Sequence, residues 1–173
     1  MPILKNGAVI ADAWITIADD EPIPGAVPII VSQARWRADR EALQGRNGPL
    51  GVRLRSADLA ADIAADVEHF SLIAVEFPTI GDGRGYTTGR LLRERHGFGG
   101  ELRAVGLLVR DLFPFLLRCG FDAIEARDEV EAAAWRHAVG AITVAYQNAA
   151  KHHAPHPRHR PHGAAAAERK ALA

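Results

Sequence analysis

The chain has one cysteine, no apolar run approaching a membrane span, and no surplus of either charge. A single thiol, Cys119, excludes an internal disulfide and any all-cysteine zinc or iron–sulfur site within one chain. A transmembrane helix needs about 20 consecutive apolar residues and a signal peptide needs a hydrophobic segment near the start. Neither is present, so a cytoplasmic protein is expected. Lys plus Arg and Asp plus Glu stand at 21 each, which removes the global basic field that nucleic-acid binders use. Neither membrane nor nucleic acid is expected as a partner.

What is present suffices for one core: 173 residues, 48% of them hydrophobic. Residues 1–26 form an expected hairpin and edge region. In it, Asn6-Gly7, the dipeptide that best suits a two-residue turn, lies between short apolar runs, and Trp14 opens a third strand-like run. Residues 27–148 carry an α/β domain, with strands ending near residues 31, 54, 77, 105 and 125, each followed by a helical or amphipathic segment. Ser32, Ser56 and Asp128 are placed to cap three of these helices, the second spanning residues 57–70 and the last running to about residue 148. This alternation predicts a mainly parallel sheet of about five strands flanked by helices, built as an open three-layer structure. Half of a (βα)8 barrel has the same linear grammar. Residues 149–173 make a His/Pro/Ala-rich tail with five histidines (152, 153, 156, 159 and 162) among prolines, expected to be disordered. No metal site is read from it. Asp58, Asp62 and Asp66, four apart, read as a solvated helix face.

The chemistry concentrates in residues 77–106. A strand-like run stops at Pro78. Gly81, Gly83 and Gly85 then surround Asp82 and Arg84, and Thr87-Thr88 is where helix-capping residues first appear. A strand, a glycine loop and a helix start together suit an anion, because the helix start offers free N–H groups and the positive end of its dipole. Arg84, Arg90 and Arg93 add forked donors nearby. Arg103 lies on the next strand, where its side chain either ends the strand blandly or points into a polar site.

The motifs Asp82-Gly83-Arg84-Gly85-Tyr86, Leu92-Arg93-Glu94-Arg95, Gly100-Glu101-Leu102-Arg103-Ala104-Val105-Gly106, Arg110-Asp111 and Arg118-Cys119-Gly120-Phe121-Asp122 carry a family resemblance. Over about residues 3–147 the chain resembles a bacterial family of uncharacterised small proteins described as probable oxidoreductases of sulfite reduction. Such proteins are typically encoded beside sulfite reductase and phosphoadenylylsulfate reductase in cysteine-biosynthesis loci. That role comes from gene neighbourhood, so the resemblance implies a pathway and no particular reaction. The chain departs from the pattern after Gly106, where Leu107-Leu108 replaces a more polar beginning and Leu112-Phe113-Pro114 a proline-free segment.

Three readings follow. In the first, the chain is an accessory protein of assimilatory sulfite reduction, in sulfate assimilation and cysteine biosynthesis. Its anion-binding loop is Asp82, Gly83, Arg84, Gly85 and Tyr86, joined by Arg93 and Arg103, and it holds sulfite, a sulfonucleotide phosphate or an acidic partner surface. Cys119 is then the redox candidate, against its alternative as a small buried hydrophobe. In the second, the chain is a non-catalytic adaptor docking on sulfite reductase or another enzyme of the pathway. In the third it is a nicotinamide-dependent oxidoreductase, although Gly83 to Gly89 spells G-x-G-x-x-x-G, not G-x-G-x-x-G, and follows a middle strand. No catalytic residue and no cofactor is identified by the sequence.

Overall fold

The computed structural model describes residues 1–5 and 7–139. The expected tail, and the expected last helix beyond residue 139, lie outside the described residues. The hairpin forms as expected: β1 (Pro2–Lys5) pairs antiparallel with β2 (Ala8–Ala11), with Gly7 at φ +82°. Such a φ costs glycine nothing. After β2 come β3 (Ile15–Thr16) and β4 (Ile29–Ser32). Ser32 caps α1 (Gln33–Ala38) by accepting the Arg35 amide at 2.9 Å. The chain breaks at Asp39 and resumes as α2 (Arg40–Gln44), stopping at Gly45.

After β5 (Leu50–Leu54) the expected α-helix is a 3-10 helix over Ala60–His69. Ser56 does not cap it, because its hydroxyl donates to Asp82 instead. Asp66 does not belong to a solvated face either; it is buried, accepting from the Trp36 indole at 2.9 Å and from Arg40. β6 (Leu72–Phe77), α3 (Arg84–Glu94) and β7 (Glu101–Gly106) follow. A short 3-10 turn over Arg110–Leu112 then leads into α4 (Phe113–Arg118), whose Pro114 falls in the first turn, where no intrahelical donor is lost. β8 (Ala123–Glu125) and α5 (Glu129–Val139) complete the order, with Asp128 capping α5 through the Glu131 amide at 2.7 Å.

The sheet corrects two expectations. Among the described residues it has eight strands in the order β2-β1-β8-β7-β6-β5-β4-β3, not about five, and it is mixed: β1 runs antiparallel to both its neighbours, while β3 to β8 pair in parallel. Those six strands follow one another in chain order. Right-handed crossovers in a sheet that never reverses direction put every connection on the same face, so the three-layer arrangement does not arise and the barrel-like grammar is the closer one. The main core lies on that face, joining Val31, Val52, Val75, Ala104 and Ile124 of the strands to Trp36, Ile63, Leu92, Leu116 and Trp135.

The opposite face is concave, as chain length requires. Ala11 ends one edge strand and Ile15 begins the strand at the other edge. Four Cα steps reach at most about 15 Å. A flat sheet of this width would separate its edges by about 34 Å, from seven spacings of about 4.8 Å. The sheet therefore curls, and residues 12–14 cross its hollow. Trp14 packs there on Ile30, Leu72, Ala74 and Val105. Among the described residues no helix is long and apolar enough to cross a membrane.

Candidate functional site

The carboxyl ends of β5, β6 and β7 lie side by side, and the connection after β6 forms the centre of the candidate site. Pro78 ends β6, a turn closes with the Asp82 amide on the Thr79 carbonyl at 3.1 Å, and α3 begins at Arg84 with Gly83 as its N-cap. The helix thus starts earlier than Thr87-Thr88 suggested, and Arg84, Gly85 and Tyr86 belong to its first turn. The anion at this helix start is the protein's own. Asp82 accepts the Arg84 Nε at 3.0 Å, its Nη2 at 2.8 Å, its backbone amide at 3.1 Å, and the Ser56 hydroxyl. The Arg84 fork, then Ser56, then the Arg84 amide hold the Asp82 carboxyl far below the usual carboxylate range, and Asp82 in turn raises Arg84.

The glycines here serve packing. A Cβ on Gly85 would lie 2.6 Å from the Phe77 ring, and one on Gly89 would lie 2.5 Å from the Phe121 ring. They let α3 sit directly on the sheet, a use of glycine distinct from cradling a phosphate. Tyr86 faces the same aromatic layer, with its ring centroid 5.0 Å from Phe77 and 4.8 Å from Phe115, and burial raises its hydroxyl pKa.

The three candidate arginines do not converge. Arg84 stands at the carboxyl end, its side chain 66% exposed. Arg93 is buried between α3 and the start of β7. Its Nε donates to the Gly120 carbonyl at 2.9 Å, its Nη1 to Gly100 at 2.9 Å and to Phe98, and its Nη2 to Asp122. Arg103 lies on the concave face, between Glu101 at 2.7 Å and Asp12 at 2.7 Å. Strand alternation explains the separation, because Arg103 points away from the helix layer that holds its neighbours Leu102 and Ala104. Cys119 is buried at the carboxyl end of α4, and burial raises its thiol pKa although Arg90 and Arg118 partly oppose this. That setting disfavours a reactive thiolate.

Two groups escaped the sequence reading. Arg53 and Glu76 pair at 3.3 Å across β5 and β6, both on the concave face near the carboxyl ends. Their signal was present: each is the only charge in an apolar strand, one residue before its end. The other group is apolar. Leu59, Ile80 and Leu107 are 63%, 62% and 56% exposed, on the connections that follow β5, β6 and β7. The Ser56–Asp82 bond joins the first of these connections to the second, and the Leu107 amide on the Phe77 carbonyl at 2.8 Å holds the third against β6.

A family model described as "Bacterial protein of unknown function (DUF934)" matches residues 51–157, from the second position of β5 onward. Arg53, Glu76, Asp82, Arg84, Arg93, Arg103 and Cys119 fall within the match, whereas the hairpin and residues 12–14 precede it. No curated protein and no solved structure matches the chain.

Proposed function

The chain belongs to this bacterial family of proteins of unknown function, and from that premise we propose that it is an accessory protein of assimilatory sulfite reduction that acts as a non-catalytic adaptor. It docks on sulfite reductase, or on another enzyme of the pathway, through the carboxyl-end connections. The pathway rests on the resemblance of its Asp82 to Tyr86 and Arg118 to Asp122 motifs to proteins encoded in sulfite-reduction loci. The docking mode rests on one observation: Leu59, Ile80 and Leu107 stand exposed on three neighbouring connections, the middle one carrying the Asp82–Arg84 pair.

Isolated exposed apolar side chains are ordinary, but three on adjoining loops at one end of a sheet suit an interface core. Complete burial of such a side chain contributes about 1.5–3 kcal/mol, so covering the exposed part of each contributes about 1–2 kcal/mol. Arg84 supplies a charged rim, which steers association more than it adds affinity. Use of the same loop for a free anion requires the ligand to displace Asp82 from both Arg84 and the helix start, and this favours docking over small-anion capture. No observation favours the nicotinamide reading, since Gly85 and Gly89 are occupied by ring packing.

The test is binding of the full chain to purified sulfite reductase, with calorimetry against sulfate in parallel. The triple variant Leu59→Ser, Ile80→Ser, Leu107→Ser weakens the complex by roughly a hundredfold or more, and Arg84→Ala slows association while leaving the fold intact. Unchanged affinity of the triple variant refutes docking at this end. Sulfate heat in the wild type that is lost in Arg84→Ala returns the loop to the anion reading.

A further inference from the structure

The concave face holds a second charge cluster that the docking reading does not use. Glu101 accepts from Arg103 Nε at 2.9 Å and Nη2 at 2.7 Å, and from Lys5 Nζ at 2.7 Å. Arg103 Nη1 donates to Asp12 Oδ2 at 2.7 Å, while Asp12 Oδ1 accepts the Trp14 amide at 3.1 Å. Lys5 stands on β1 and Glu101 and Arg103 on β7, the two strands that flank β8 in the sheet. Asp12 alone arrives on a linker, the strap of residues 12–14 that crosses the hollow.

The strap hangs between the two least anchored strands. All residues of β2 and β3 are exposed, and β3 has only two residues. Short, exposed, edge-bound segments are the ones that open first. Arg103, by contrast, is fixed, its side chain 3% exposed and held by a Glu101 side chain 9% exposed. With the strap in place the cluster balances two cations against two carboxylates. With the strap lifted, Glu101 is the carboxylate still bonded to both Lys5 and Arg103, so the cluster is left with one net positive charge and an unfilled fork position, on the sheet face that carries the apolar cluster of Ile30, Leu72, Ala74 and Val105. An uncompensated charge in such a place is costly, so the strap leaves readily only when another anion enters.

We propose that Asp12 is the built-in occupant of an oxyanion site whose fixed part is Arg103, Glu101 and Lys5. A small monoanionic oxyanion, a carboxylate or hydrogensulfite, takes the place of the Asp12 carboxylate as the strap swings off the concave face. The exchange conserves charge, and Trp14 leaves its apolar seat with Asp12. This site stands independently of the docking reading, being on the concave face and centred on other residues.

The experiment titrates the full chain with sodium acetate and, separately, with sulfite, each at constant ionic strength against sodium chloride. Two measurements are made: calorimetry on wild type and on Asp12→Asn, and amide hydrogen exchange of residues 11–17 in the wild type. Asp12→Asn keeps an oxygen for the Trp14 amide and removes the competing charge. A tethered competitor lowers apparent affinity by the fraction of time it is absent, so the variant binds at least about tenfold more tightly than the wild type. Acetate or sulfite also accelerates exchange across the wild-type strap, whereas sodium chloride does not. Equal affinity of variant and wild type overturns the proposal, as does wild-type strap exchange that ignores both anions. If Asp12→Asn does not fold, the wild-type exchange decides alone. Acceleration by acetate but not by sulfite assigns the site to carboxylates, and the converse assigns it to sulfite.

Discussion

Arg93 was expected to bind a ligand, and its surroundings instead predict a large structural effect. Its side chain is 4% exposed and that of Asp122 is 7% exposed. The guanidinium serves the carbonyls of Phe98, Gly100 and Gly120 and neutralises Asp122, which also accepts the Leu102 amide at 3.0 Å. Burial lowers the Arg93 pKa and Asp122 opposes this, so the pair is maintained by mutual contact in a poorly solvated place. Replacement with methionine preserves most of the aliphatic stem but leaves a buried carboxylate and three carbonyls without this donor. Removing one partner of a buried pair costs about 3–5 kcal/mol. At about 3 °C per kcal/mol for a domain of this size, Arg93→Met lowers the melting temperature by roughly 9–15 °C. Urea unfolding followed by tryptophan emission measures the loss. Arg90→Met is the matched control, since Arg90 and Glu94 form an exposed pair four residues apart that solvent screens. A loss below about 1 kcal/mol for Arg93→Met, or one equal to that of Arg90→Met, refutes the reasoning.

Two further outcomes follow from the same geometry. Asp82 titrates lower in the folded chain than its ordinary value of 3.8, so its stabilisation is complete above that value and is lost as pH falls through the folded value. Asp82→Asn therefore flattens the acid limb of a stability-versus-pH curve below about pH 4, and an unchanged limb contradicts the assigned pairing. Cys119→Ser costs about 1–2 kcal/mol by placing a hydroxyl in an apolar setting, yet supports growth on sulfate in a strain lacking the native gene. Loss of growth with folded Cys119→Ser at normal level assigns the thiol a chemical role.

Local signals were legible where the physics is local. Ser32 and Asp128 cap the helices they precede, because a cap needs only a short side chain and the amide three residues on. Gly7 sits in the hairpin turn and Gly120 ends α4 at φ +96°, both through backbone freedom encoded in one residue. Ser56 fails as a cap because Asp82, 26 residues later, offers its hydroxyl a charged acceptor. The glycines of the central run were legible as necessary, but sequence cannot distinguish a glycine needed for a ligand from one needed beneath the Phe77 or Phe121 ring.

By itself the sequence determined the alternation of strands and helices, the N-terminal hairpin, the lack of a membrane-spanning helix among the described residues, and the concentration of charged and glycine residues after β6. Tertiary structure alone decided the rest. The three-residue link from β2 to β3 curls the sheet, since so short a chain cannot span a flat one. Strand alternation sends Arg103 to the concave face, and α3 packing buries Arg93, so arginines that look like one cluster along the chain occupy three separate places. Their partners Asp82, Asp122 and Asp12 lie 2, 29 and 91 residues away. Charge pairing at the longer separations depends on which strands become neighbours, and that is fixed by burial of the whole apolar set.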